Sequence, residues 1–339
     1  MAQQQIALES AGPAGFRSTR DRVALVRWVV AFGRFMKGKP LGAAGVMLIL
    51  LMLLTAVAAP LLQRYDKDTV FQTANPAYDP AVAAKALEDP LVRLQYPPEV
   101  YTKGGIIGPQ DPSMSHWFGT DKAGRDLYAR IVWGARTSVV VGVGAAVIAV
   151  AAGLILGLIS AYFGGLVDLF IQRGTDAMLA FPALILLLLF VQVVPNPTVW
   201  TITVALGIVG IAQTVRIVRS AVLTAREEQY VVAAQVIGAS DRRIMFRHIL
   251  PNIVAPTIVI FTISIGAYIL AESTLAFIGL GDPVAPSWGK ELNEGRQLLS
   301  AKPFLSIFPG LAIMFTVLGY NLAGDALRDV LDPRLRRGR

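Results

Sequence analysis

An all-α integral membrane protein with six transmembrane helices is the fold this sequence predicts, and three observations predict it. Hydrophobic residues make up 54% of the 339 and charged ones only 16%, too apolar for a soluble domain of that length to keep its surface wetted. Six runs lack Asp, Glu, Lys and Arg altogether, and they approach or exceed the roughly 20 residues that cross a hydrocarbon core of about 30 Å. Lysine and arginine, which carry the net charge of +8, crowd both tails and one internal loop. That distribution is a topology signal rather than a nucleic-acid footprint.

The N-terminal tail, residues 1–40, carries Arg17, Arg20, Arg22, Arg27, Arg34, Lys37 and Lys39 against Glu9 and Asp21. Within it Val23, Leu25, Val26, Trp28, Val29, Val30, Phe32 and Phe35 alternate with basic residues, the pattern of a helix lying in the headgroup layer of membrane lipid. A plain basic anchor without helix is the alternative. The first span covers Leu41 to Leu62. Ala56-Val57-Ala58 resembles a signal-peptidase site, but the long leader and the length of the apolar run favour a retained span.

Residues 63–136 form a long extracytoplasmic loop. Its stretches "NPAYDP" and "QYPPEV" predict an extended cap with little regular structure. In "GTDKAGRD" two aspartates and two basic residues predict pairing and a capped short amphipathic helix before the second span. Catalysis by Asp121 and Asp126 has no nucleophile or ligand spacing to accompany it. Spans follow at Thr137 to Gly164, Ala177 to Val194 and Thr198 to Val215, the last two parted by a tight turn at Pro195-Asn196-Pro197. The fifth and sixth run from Ile253 to Ala271 and from Pro303 to Ala323, inside a core of 137–323. The closing tail, 324–339, holds Arg328, Arg334, Arg336, Arg337 and Arg339. Positive charge at both ends and an even number of spans place both termini in the cytoplasm.

Between the fourth and fifth spans, residues 216–252 form a second basic segment on that same side. Ile217, Ala221, Val222, Ala225, then Val232, Ala233, Val236 and Ile237 keep helical spacing, so a helix continues out of the span. Gly238 suits a left-handed cap, Ser240 can accept from the next free amides, and a short helix then runs to Leu250, where Pro251 stops it. A small residue four positions before a glycine, as at Ala234 and Gly238, also fits a DNA-binding helix-turn-helix. Membrane spans on both flanks disfavour that, and no nucleic acid is expected. A protein-docking element fits better, with Ala233, Ala234 and Gly238 as a low ridge and Arg242, Arg243 and Arg247 as a polar rim.

The pattern Ala-Ala-x-x-x-Gly followed by "HILPN" resembles the EAA loop of ABC importer permeases, which docks on the ATPase subunit. "GTDKAGRDLYARIVWGARTSVVVG", "FGGLVDLFIQRGTDAMLAFP", "AESTLAFIGLGDPVAPSWGKELNEGR" and "NLAGDALRDVLDPRLR" are similar to the C-type permease of the dipeptide/oligopeptide/nickel importers. The resemblance covers nearly all of the chain after Trp117. It implies a type I ABC importer permease-like fold in a bacterial inner membrane. The implied partners are a B-type permease, two ABC ATPase subunits and an extracytoplasmic peptide-binding protein. The coupling residues it implies are Val232, Ala233, Ala234, Gly238, Ala239, Ser240, Asp241, Arg242, Arg243 and Pro251. Two departures stand out: Val232 occupies the position of the motif glutamate, with Glu227 or Glu228 as candidate replacements, and the outer segment from Tyr65 to Ser115 is longer than the family requires.

No GxxxxGK[ST] phosphate loop occurs, so no cofactor is expected here, and ATP and Mg would bind the partner ATPases. With no cysteine, disulfides and thiolate metal sites are excluded. His116 and His248, far apart in sequence, argue against a two-histidine metal site. Gly142, Gly144 and the GxxxG pair Gly153 and Gly157 predict close helix packing. Pro182, Pro256 and Pro309-Gly310 are candidate bends, the last deep in its span. Glu272, late in the fifth span, is expected to reach the outer headgroup layer in a structural or gating role. An ion-coupled secondary transporter is the competing reading and a membrane enzyme a third. The first would need charges along several spans or an internal repeat, and the second a catalytic cluster. The permitted solutes of the resembled family include dipeptides, oligopeptides, nickel chelates and glutathione.

Overall fold

The computed structural model describes residues 39–74, 79–88 and 104–331. The expected interfacial helix, both charged tail ends and part of the outer segment lie outside these residues. The described fold is helical apart from a two-stranded antiparallel ribbon, β1 (Gln72–Ala74) with β2 (Gly104–Ile106). With the helix α2 (Pro80–Glu88), that ribbon gives the outer segment more regular structure than its prolines suggested. Among the described residues, five helices are long and apolar enough to cross a membrane: α1 (Pro40–Leu62), α3 (Leu127–Phe163), α6 (Val199–Arg226), α8 (Leu250–Phe277, continuous with a lead-in from Asp241) and α10 (Phe304–Leu331).

The third expected span is not one helix. It divides into α4 (Gly165–Leu179) and α5 (Ala183–Gln192), which meet at 87°. Pro182 has no amide hydrogen and forces the residue before it out of helical conformation, so the apolar run from Ala177 cannot stay straight. Counted as one crossing, the bent pair makes six. The short helix expected before the second span is likewise absent as a separate element. Asp126 accepts a hydrogen bond from the Ala129 amide at 2.9 Å and starts α3 directly, which then runs 37 residues or about 55 Å, until Gly164 ends it with φ +67°. The turn before α6 forms as expected, with Asn196 at φ 54° and Thr198 and Thr201 in a reciprocal capping box.

Small residues set the helix packing. A Cβ on Gly153 would lie 2.5 Å from Thr214 and one on Gly157 2.9 Å from Val218, while Gly144 faces Thr203 and Gly207 faces Ile148. These four contacts lock α3 against α6, running parallel, along residues 144–157 and 203–218. Gly142 seats Ile269 of α8, Gly324 seats Ile263, and Gly45 of α1 meets the backbone of α10 at Ala323. Close approach of this kind is how membrane helices associate without a hydrophobic driving force between them.

Alternating helix directions put Lys39, the loop after Arg226 and Leu331 on one side, here termed proximal. Lys39 reaches Asp329 at 2.6 Å, so the described ends meet there. The ribbon, the 193–198 turn and α9 (Trp288–Arg296) occupy the distal side.

Candidate functional site

On the proximal side α6 ends at Arg226, whose guanidinium donates to the Ala161 carbonyl at 3.2 Å. A turn at Glu227-Glu228 leads to α7 (Gln229–Val236). Its end is a Schellman cap: the Gly238 amide donates to the Gln235 carbonyl and the Ala239 amide to the Ala234 carbonyl, both at 3.0 Å. Gly238 itself has φ +77°, a conformation that a Cβ disfavours.

The chain then enters a turn at Asp241–Arg243 and a π-helical stretch, Ile244–Ile249, that flows into α8. Pro251 therefore does not stop a helix. It sits in the first turn of α8, where the wide π turn before it leaves room for the ring and no standard amide bond is lost. Ser240 takes the N-cap position by backbone angle but makes no side-chain cap. Asp241 instead accepts from the Tyr162 hydroxyl at 2.7 Å, tying the turn to the end of α3.

One face of this segment is core. Val231, Ala234, Ile244 and Ile249 are buried against Leu158, Ala161, Tyr162, Val218, Val222, Ala225 and Ile253. Ala234 thus belongs to the inner face and not to the exposed ridge, because the turn of α7 that presents Ala233 outward directs its neighbour inward. The outer face holds Val232, Ala233, Val236, Ile237 and Gly238, with Val236 82% and Ile237 83% exposed. Tyr230 and Phe246 extend this apolar patch. Arg242, Arg243 and Arg247, in the turn and π-helical stretch that follow, are exposed too, as are Glu227 and Glu228 on the approach from α6. Two bare aliphatic residues at the tip of a rigid turn are what sequence periodicity missed. Spacing places Val236 and Ile237 on a helical face but does not say which way that face points.

The distal side carries a second polar constellation. Arg130 is wholly buried and contacts Glu291 at 2.5 Å, Asp121 at 3.7 Å and Asp68 at 3.7 Å. Arg125 joins Asp121 at 2.6 Å and Glu294 at 3.0 Å. Asp121, Glu291 and Glu294 bring carboxylate oxygens within 4.8 Å of one another, but each is already paired with Arg125 or Arg130. This is an ion-pair lock between α3, α9 and the segment after α1. Asp126 also pairs with His116 at 2.8 Å, and Lys122 bonds Gln297 rather than an acid.

Glu272 does not reach a headgroup layer. It is 2% exposed, receives the Ser273 hydroxyl at 3.3 Å and lies under the N-cap residue of α9, Ser287. Helix α9 folds over that end of α8 and encloses it. Pro309 is buried in the second turn of α10, which continues unbroken through Pro309 and Gly310.

Against this geometry, comparison with known proteins is informative. The family profile described as "Binding-protein-dependent transport system inner membrane component" matches residues 153–337. The chain is 38% identical to the dipeptide transport system permease protein DppC of Alkalihalophilus pseudofirmus, over 92% of each chain. It is 36% identical to the oligopeptide transport system permease protein OppC of Bacillus subtilis, covering 97% of this chain and 96% of that one. To the glutathione transport system permease protein GsiD of Pectobacterium atrosepticum it is 35% identical over 94% of each.

Proposed function

Since the chain belongs to the binding-protein-dependent transport system inner membrane components, we propose that it is the C-type permease of a peptide importer, handling dipeptides or oligopeptides. It is a multi-pass permease subunit of an ABC importer and not an enzyme; ATP hydrolysis belongs to separate subunits. Its partners in this reading are a B-type permease with which it forms the path, two ATPases carrying ATP and Mg, and an extracytoplasmic peptide-binding protein. The location is a bacterial inner membrane with both termini in the cytoplasm, which agrees with the basic tails.

The observation that carries the coupling role is the apex at Val236-Ile237-Gly238. Apolar side chains stand in solvent there on a turn whose backbone bonds and buried inner face leave little freedom to yield. A groove on an ATPase that accepts this apex would move it as a rigid body, and the displacement would pass through α6 and the continuous Asp241–Phe277 helix. Val232, Ala233, Ala239, Ser240, Asp241, Arg242, Arg243 and Pro251 serve as contact, rim or support. Ala234 acts from within as a packing residue. Pro309 and Gly310 are retained as a candidate gate element and Glu272 as a structural one.

The test is affinity isolation of the tagged chain from its native membrane, followed by uptake of labelled peptides into vesicles holding the isolated set. A second permease and two ATPase subunits should accompany it, and uptake should require ATP. Solute accumulation by the chain alone would contradict the proposal.

A further inference from the structure

The break between α4 and α5 raises the question of what solvent it meets. Ala180, Phe181, Pro182 and Ala183 are all exposed there, and the start of α5 has no side-chain cap. Helix ends leave amides and carbonyls without intrahelical partners, and irregular backbone at membrane depth persists only where it is buried or lines water.

Charge lies on the same face. Asp176 of α4 and Arg216 of α6 pair at 2.6 Å while remaining 48% and 51% exposed. Arg173, three residues from Asp176, and Gln213, three from Arg216, are also exposed, and residues at that spacing share a helix face. The depth follows from the α3–α6 contacts. Gly153 faces Thr214 and Gly157 faces Val218, so Ile155 stands at the level of Arg216, about 15 Å before the end of α6. Ile155 is 58% exposed and its neighbour Leu156 is exposed as well. At one depth, then, one flank of the molecule offers bare aliphatic groups and another an open ion pair beside an exposed helix break. A single solvent cannot suit both.

We infer that the α4–α5 break and the Asp176–Arg216 pair form a polar wall of the water-filled translocation path, where the pair opens to receive the charged ends of a peptide. The assignment of peptide as the solute rests on the function proposed above; the assignment of the wall to water does not. An ammonium terminus exchanges onto Asp176 and a carboxylate terminus onto Arg216, with Arg173 beside them as a second cation. Both partners of a half-exposed pair are solvated already, so the exchange demands little desolvation.

The chain contains no cysteine, so an introduced thiol is its only one. In the complete transporter, Ala177→Cys and Ile155→Cys are treated with a charged, membrane-impermeant thiosulfonate. Ala177→Cys is expected to react at least tenfold faster. Equal rates would place both positions in one solvent and overturn the wall, whatever solute is carried. Excess free-ended tripeptide should then slow labelling of Ala177→Cys severalfold, while the same peptide acetylated and amidated at its ends should not. Labelling indifferent to both peptides would overturn the role of the pair in receiving charged termini and leave the wall standing.

Discussion

Glu291 lies fully buried on α9 with its carboxylate 2.5 Å from Arg130. Burial pushes its pKa up to about 7 from an ordinary 4.5; Arg130 opposes the rise, and Glu294 and Asp121 add to it. An acid whose pKa is higher in the fold than in the unfolded chain holds its proton more tightly when folded. Its contribution to stability is therefore fullest below pH 4.5 and declines as pH climbs to about 7. Glu291→Gln cannot ionise and should lose that part of the slope, on the order of 3 kcal/mol across the window. Thermal unfolding of the purified protein in detergent, followed against pH, checks this; parallel slopes for both proteins would acquit Glu291. Residues of this kind are poorly legible in sequence, because Arg130 and Glu291 are 161 positions apart and nothing in either neighbourhood announces the other. Glu272 misled for the same reason, since its cover comes from α9.

The helices tell a different story, because packing between them is written in small residues. Gly153→Leu would drive a side chain into Thr214, 2.5 Å from the position of the first added carbon, and should destabilise by roughly 1–3 kcal/mol. Gly310→Ala meets nothing within 4 Å and should leave stability unchanged or raise it by up to about 1 kcal/mol. Comparing their unfolding temperatures in detergent separates a crowded glycine from a free one. At the apex, a Cβ on Gly238 would meet no atom within 4 Å, but Gly238→Trp must hold φ +77°, at about 1–2 kcal/mol, and places an indole beside Val236 and Ile237. The variant should insert and fold, yet peptide uptake should fall at least tenfold; normal uptake with normal ATPase co-purification would contradict docking through this turn. The Gly turn and the small-residue packing faces were readable from spacing. The break at Pro182 was readable only as a candidate bend, since proline disturbs a helix without dictating the 87° that packing selects.

Across the whole molecule, two polar centres sit at opposite ends of an apolar bundle. The distal lock ties α3, α9 and the segment after α1 together; the proximal turn ties α3, α6 and α8 together. Helix α3 runs between them, so motion imposed at one end is transmitted along an element anchored at both. In this family ATP hydrolysis belongs to separate subunits. Reconstituted alone in vesicles the chain should hydrolyse no ATP and accumulate no peptide, whereas the assembled set should do both, as phosphate release and labelled-peptide uptake would record.

Composition and the spacing of apolar residues were enough to determine a helical membrane protein with five to six candidate crossings, whose described ends and basic loop share a side. These follow from local rules: hydrocarbon thickness, helical period and the placement of charge. Order along the chain and the resemblance carried by its motifs extended that to an importer permease. Which way each loop residue faces, that Ala234 turns inward while Val236 and Ile237 stand bare, and that Arg130 finds Glu291 were decided only by tertiary structure. Those outcomes depend on side chains from distant elements meeting in three dimensions, and no local rule contains the distance between them.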